Sequence, residues 1–156
     1  MWKKVALTAA GCGLVIYAYA SKMIKLKARL IVTPEVSVYK VGLSGLTLQA
    51  NVQIKNYSAG TCSLKFPFVT LYYKETLLGS SNIVNQDIPI TAYGEANIEK
   101  IIIDIPLASV FSVATALINS IQNKQAVAIT VKTTTVINLG LQSLDYEDTQ
   151  TIPLKN

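Results

Sequence analysis

The sequence predicts a mainly β protein, an antiparallel β-sandwich with one inserted α-helix, preceded by an N-terminal transmembrane α-helix. Three observations carry this. From Leu46 to Lys55 the chain alternates without a fault: Leu46, Leu48, Ala50, Val52 and Ile54 are apolar, and Thr47, Gln49, Asn51, Gln53 and Lys55 are polar. A period of two over that length is a strand with one buried and one wet face, the habit of antiparallel sheets. A later stretch, Leu107, Val110, Phe111, Ala114, Leu117, Ile118 and Ile121, repeats at three and four, as one amphipathic helix does. Finally, Val5 to Ala20 contains no charge at all. The expected division is an anchor helix with a basic flank over residues 1–32 and a β domain over 33–156.

The sixteen uncharged residues from Val5 to Ala20 are short for a span. Counting to Ile24 and letting Lys22 snorkel gives about 20 residues, or about 30 Å of helix, which matches the hydrocarbon thickness. Trp2, Val5, Leu7, Leu14, Val15, Ile16, Tyr17, Tyr19 and Ile24 are the expected lipid contacts, with Trp2, Tyr17 and Tyr19 toward the interfaces. Lys22, Lys25, Lys27 and Arg29 follow, and anionic headgroups attract such residues by about 1 kcal/mol each. A cleaved signal peptide is the competing reading, since Ala18-Tyr19-Ala20 fits the small-x-small rule. The mature chain would then begin SKMIKLKAR, a basic run that tends to stay on the cytoplasmic side. A lipoprotein cleaved before Cys12 would have too short an apolar stretch ahead of it. The expectation is an uncleaved single-pass anchor with the domain on the inner, more anionic side.

Pro34 ends any helix, and alternation begins at Val36-Ser37-Val38-Tyr39-Lys40-Val41. Gly42 and Ser44-Gly45 punctuate before the long alternating strand, which stops at Asn56-Tyr57-Ser58-Ala59-Gly60, a run of turn formers. Cys62 to Phe66 and Phe68 to Lys74 read as one strand interrupted at Pro67, which confines that point to a bulge or an edge. A turn at Glu75-Thr76 leads to a weak strand through Leu77 to Ser81 and Ile83-Val84, and Ile88-Pro89-Ile90 follows. Tyr93-Gly94 is a turn, and Ala96 to Ile105 is a β-branched strand with Ile101, Ile103 and Ile105 on one face. Beyond the helix, which closes at Gln122 to Gln125, come strands at Ala126 to Ile137 and Leu144 to Ile152. The expected core takes Leu46, Leu48, Val52, Ile54, Leu71, Ile101, Ile103, Ile105, Val127, Ile129 and Val131.

The net charge of +5 is not spread over the fold. Six of the fourteen basic residues precede position 33, where there is no acid, leaving eight basic against nine acidic residues for the β domain. A nearly neutral domain gives no electrostatic footprint for nucleic acid. Histidine is absent, which removes the commonest general base and the commonest zinc ligand. There is neither a Gly-x-Ser-x-Gly elbow nor a GxxxxGK loop. The two cysteines, Cys12 and Cys62, are read as free thiols.

Val41 to Leu48 (VGLSGLTL), the alternating strand into Asn56-Tyr57, FVTLYYKETLLGSS, the Ile88-Pro89 step, Tyr93-Gly94 and Thr151-Ile152-Pro153-Leu154 occur in that order. The order resembles the group-2 late embryogenesis abundant (LEA) proteins, or water stress and hypersensitive response (WHy) domain, over residues 33–154. The family has Asn-Pro where this chain has Asn56-Tyr57. The resemblance implies an immunoglobulin/fibronectin III-like sandwich without enzymatic activity, associated with stress tolerance or with binding at membranes.

Other clusters have plainer readings. Asp145, Glu147 and Asp148 lack the spacing of a calcium loop and fit a solvated strand end. Tyr72 and Tyr73 with Phe66 and Phe68 could form an aromatic platform, but alternation turns one tyrosine inward. Thr133-Thr134-Thr135 suits an exposed strand. The expectation is a non-enzymatic, membrane-anchored LEA/WHy-like module with a binding or protective role. The alternative is a structural membrane protein of a larger assembly, such as a membrane-containing virion or a secretion apparatus. The expected partner is the lipid bilayer, or in the alternative the proteins of that assembly, with no nucleic acid, small-molecule substrate, cofactor or metal.

Overall fold

A computed structural model describes residues 26, 27, 29–108 and 111–156. Val110 and the anchor positions from Trp2 to Lys25 lie outside the described residues, as does Cys12. Nine strands and one helix are described: β1 (Leu30–Gly42), β2 (Gly45–Asn56), β3 (Cys62–Lys65), β4 (Phe68–Tyr73), β5 (Thr76–Ser80), β6 (Asp87–Ile90), β7 (Glu95–Pro106), α1 (Phe111–Gln122), β8 (Ala128–Asn138) and β9 (Ser143–Lys155).

They form one mixed sheet in the order β5-β4-β8-β9-β1-β2-β7, with β3 pairing both β6 and β8. The sheet is therefore not purely antiparallel as the sequence led us to expect: Val36 and Ser37 of β1 run parallel to Leu154 and Lys155 of β9. Strand parity requires this. β1, β7 and β9 all run in one direction, since β2 is antiparallel to both β1 and β7 and α1 crosses one end to start β8. The order then curls until its two ends approach. A Cβ on Gly79 of β5 would be 3.0 Å from the Asp104 carbonyl oxygen and 3.4 Å from Ile103 Cγ2 on β7.

Along the β1–β9 seam the backbone ladder is short, and side chains complete it. Tyr146 Oη donates to the Leu30 carbonyl at 3.3 Å and Gln150 Nε2 to the Val32 carbonyl at 2.8 Å. Buried backbone acceptors left open by a missing ladder would otherwise be costly. Lys155 Nζ lies 2.7 Å from Glu35 Oε1 at the outer end of the seam.

The faultless alternation of β2 holds: every second residue from Leu46 to Asn56 is buried. All eleven expected core residues are buried. β1 begins at Leu30 rather than Val36, because Leu30 and Val32 already point into the core and Pro34 is accommodated inside the strand. β7 carries a bulge that the sequence reading lacks. Glu99 and Lys100 together face Asn51, and Lys100, at φ 59°, donates its N–H to Asn51 Oδ1 at 3.0 Å. The extra residue restores inward facing to both Ile98 and Ile101, which strict alternation would separate.

Pro67 does break its strand. β3 and β4 both pair with β8, and at the gap Thr135 Oγ1 donates to the Lys65 carbonyl while the Phe66 N–H donates to the Gln86 carbonyl. Thr133 and Thr135 share the inner face of β8 with Ile129, Val131 and Ile137 and are buried rather than exposed, correcting the solvated reading. The β4–β5 turn falls at Lys74-Glu75, one residue ahead of the expected Glu75-Thr76, with both residues at positive φ as a type I′ turn requires. Ile83 and Val84 are exposed in the loop after β5. The helix buries Ala114 and Leu117 but turns Phe111 to solvent. It ends as a Schellman motif: Gln125 N–H bonds the Ser120 carbonyl and Lys124 N–H the Ile121 carbonyl, with Lys124 left-handed.

Candidate functional site

One end of the curled sheet, here called proximal, is organised around Asn56, the last residue of β2. Asn56 is buried, and its amide is saturated. Nδ2 donates to the carbonyls of Gly60 (2.7 Å) and Thr91 (3.1 Å), while Oδ1 accepts from the Ser58 N–H (2.9 Å) and hydroxyl (2.6 Å). Its backbone N–H bonds the Gly94 carbonyl, and the Tyr93 N–H bonds the Ser58 carbonyl. Only a primary amide offers two donors and an acceptor with two lone pairs on one short side chain. Asn56 thereby locks the 57–61 and 91–94 turns into one unit.

That unit holds two aromatic rings outward. Tyr57 is 51% and Tyr93 70% exposed, Tyr93 with φ at 55°. The β8–β9 hairpin turn, Leu139 to Gln142, lies at the same end, since Asn138 pairs with Ser63 next to Cys62. It carries Leu141, which is 90% exposed. The sequence marked the first two segments as turns without indicating that their side chains share one end, and gave no signal for Leu141.

The chain also enters the fold here. Leu26 is buried against Gly60, Lys27 Nζ reaches the Asp145 carbonyl at 3.2 Å, and the Arg29 carbonyl accepts the Tyr57 N–H at 3.0 Å. A proline at 57 has no N–H to offer, so the departure from Asn-Pro is what ties the incoming segment to the Asn56 turn. Of the expected lipid-contacting basic residues, Lys27 and Arg29 are exposed at this end, and Lys22 and Lys25 lie outside the described residues. Among the described residues no helix is long and apolar enough to cross a membrane.

The remaining candidates are dispersed. Asp145 and Glu147 point outward, with Glu147 3.0 Å from Lys132 Nζ, while Asp148 takes the other face and accepts from Gln150 Nε2 at 2.7 Å. Phe66 and Tyr73 lean on the core, half-buried, and Lys74 Nζ lies 5.3 Å from the centre of the Tyr73 ring. Cys62 is a free thiol in the core, and burial pushes its pKa up, away from the reactive thiolate. A shallow polar groove crosses the outer face of β1, β2 and β7, lined by Thr33, Glu35, Asn51, Gln53, Asn97 and Glu99.

No protein-family model and no curated protein matches the chain. Solved structures do. A protein from Archaeoglobus fulgidus is similar with a TM-score of 0.52 at 10% identity, over 80% of this chain and 95% of that one. AT1g01470 from Arabidopsis thaliana is similar with a TM-score of 0.52 at 14% identity, over 78% of each chain. A late embryogenesis abundant protein, At2g46140.1, has a TM-score of 0.41 at 14% identity, over 99% of this chain and 87% of that one. The nine strands and their helix thus share the fold of AT1g01470 and of the Archaeoglobus fulgidus protein.

Proposed function

We propose that this chain is a non-enzymatic module whose LEA/WHy-like β domain is held at a membrane surface by the apolar N-terminal segment and binds or protects there. The observation that carries the reading is the junction. The uncharged run from Val5 to Ala20 and its basic flank lead directly into Leu26, which is built into the core, with Lys27 and Arg29 exposed beside it. Only Ser21 to Lys25 separate that run from Leu26, so the domain would ride on the surface rather than at a distance from it. The side chains that converge at the proximal end are amides, hydroxyls and apolar groups, Asn56 and Ser58 among them, which suit holding turns together.

Alkaline extraction of membranes containing the full chain, followed by protease protection in sealed vesicles and N-terminal sequencing, tests this. The expected result is a protein that resists extraction, begins upstream of Ser21 and is shielded when the inner side is closed. Release into the supernatant or a mature terminus at Ser21 would overturn the anchor. Digestion from outside intact vesicles would reverse the orientation alone. Co-migration with other proteins in fixed stoichiometry would favour a structural subunit of a larger assembly.

A further inference from the structure

The proximal end carries more than the point of attachment. We propose that Tyr57, Tyr93 and Leu141 form a lipid-contacting rim that seats the β domain end-on in the headgroup layer. This rests on the anchored reading above and adds which surface of the domain meets the bilayer.

The reach of the chain sets how far the domain can stand from the hydrocarbon. Ile24 is the last apolar residue of the candidate span and Leu26 is fixed in the core. Two residues of extended chain cover at most about 7 Å. The headgroup region of one leaflet is about 5 to 7 Å deep, from the difference between total and hydrocarbon thickness. The end of the domain that holds Leu26 therefore lies within that layer, and side chains projecting from its turns meet lipid rather than bulk water.

The chemistry of those side chains suits that layer. Tyrosine, with an apolar ring and a polar tip, prefers headgroup depth, and an exposed leucine at a hairpin tip gains by leaving water. All three are half or more exposed; the Tyr57 and Tyr93 turns are tied to each other and to the incoming chain through Asn56, Ser58 and Arg29, and the pairing of Asn138 with Ser63 brings the Leu141 turn to the same end. Charge agrees in sign: Lys27, Arg29 and Lys55 are at this end against Asp145 and Glu95, with Lys22 and Lys25 preceding them in the sequence.

Tyr93 also carries strain without a structural return. Tyr93 is left-handed at φ 55°, a conformation costly for a bulky aromatic residue. The bond made there to Ser58 uses only the backbone N–H, which glycine would supply equally. The ring is 70% exposed, so the fold does not repay its backbone. The opposite end also shows apolar residues, Leu43 and Phe111, but the anchor directs those away from the bilayer, which makes Leu43 the natural control.

The test uses the full chain with Cys12→Ser and Cys62→Ala, carrying single cysteines at Tyr57→Cys, Tyr93→Cys, Leu141→Cys or Leu43→Cys, each labelled with a fluorophore. The proteins are reconstituted in phosphatidylcholine/phosphatidylglycerol vesicles containing shallow brominated lipid. Quenching by lipid bromine should be several-fold stronger at 57, 93 and 141 than at 43. Equal quenching at all four positions, in protein that still resists alkaline extraction, overturns the rim and leaves the anchor standing. Loss of resistance to extraction overturns the anchor and the rim with it. In parallel, Tyr93→Gly should raise the melting temperature. A lowered one would show that the ring serves the fold, and would overturn the place of Tyr93 in the rim.

Discussion

Thr133 is fully buried in β8, and its hydroxyl is the one buried side-chain polar atom among the described residues that lacks a hydrogen-bond partner. A buried hydroxyl without a partner is penalised by its lost hydration, and valine has nearly the same shape. Thr133→Val should therefore stabilise the protein by about 1 kcal/mol in urea unfolding. A loss of that size would mean that the hydroxyl has a partner. Tyr146 gives a prediction in pH. Burial, and secondarily the charge of Asp148, raise its phenol above the ordinary value of 10.0. The unfolded chain ionises first as pH passes that value, so it then binds fewer protons than the folded one. By linkage, stability is unaffected below pH 10 and falls above it. Tyr146→Phe, which removes the bond to the Leu30 carbonyl, should cost about 1 kcal/mol at neutral pH. It should also flatten the alkaline fall, read by urea midpoints from about pH 8 to about pH 11.

At the scale of elements, the turn after β2 is held by Asn56 from within and by Arg29 from outside. Tyr57→Pro would restore the Asn-Pro of the family that the sequence resembles, and would remove the N–H that the Arg29 carbonyl accepts. The expected outcome is destabilisation by about 1 to 2 kcal/mol. Tyr57→Ala keeps that N–H and loses only a half-exposed ring, so its change should be within about 0.5 kcal/mol. Thermal melts of the two variants side by side separate backbone from side chain. Equal effects would show that the ring, and not the N–H, supports the turn. Elsewhere too, side-chain bonds act where the ladder fails: Thr135 at the Pro67 break, and Tyr146 and Gln150 along the β1–β9 seam.

On the largest scale the described residues form a curled sheet whose first and last members in spatial order, β5 and β7, meet at Gly79 and Ile103. Ile103 is fully buried on the inner face of β7 and faces both the core and this closure. Ile103→Ala leaves a cavity that rigid strands on either side cannot collapse, and should cost about 2 to 5 kcal/mol in thermal or urea unfolding. A change near zero would contradict the inward register of β7. The helix caps the distal end, where Ala114 and Leu117 fill it, while the incoming chain and the Asn56 turn close the proximal end. This division leaves the proximal end as the one where the N-terminal segment joins the fold.

The sequence by itself determined the strand character of this protein and its inner face. The alternation of β2, the β-branched run of β7 and the three-four spacing of α1 are local patterns, since side-chain direction follows from backbone period alone. Turn positions at Asn56 to Gly60 and at Tyr93-Gly94 were legible for the same reason, through residues that tolerate special backbone angles. What only the tertiary structure decided depends on which strand lies next to which. The parallel contact of β1 with β9 and the bulge opposite Asn51 follow from pairing between distant segments. No local period encodes such pairing. The proximal rim belongs to this second class: Tyr57, Tyr93 and Leu141 are far apart in the chain, and hydrogen bonds that the fold alone creates bring their turns to one end.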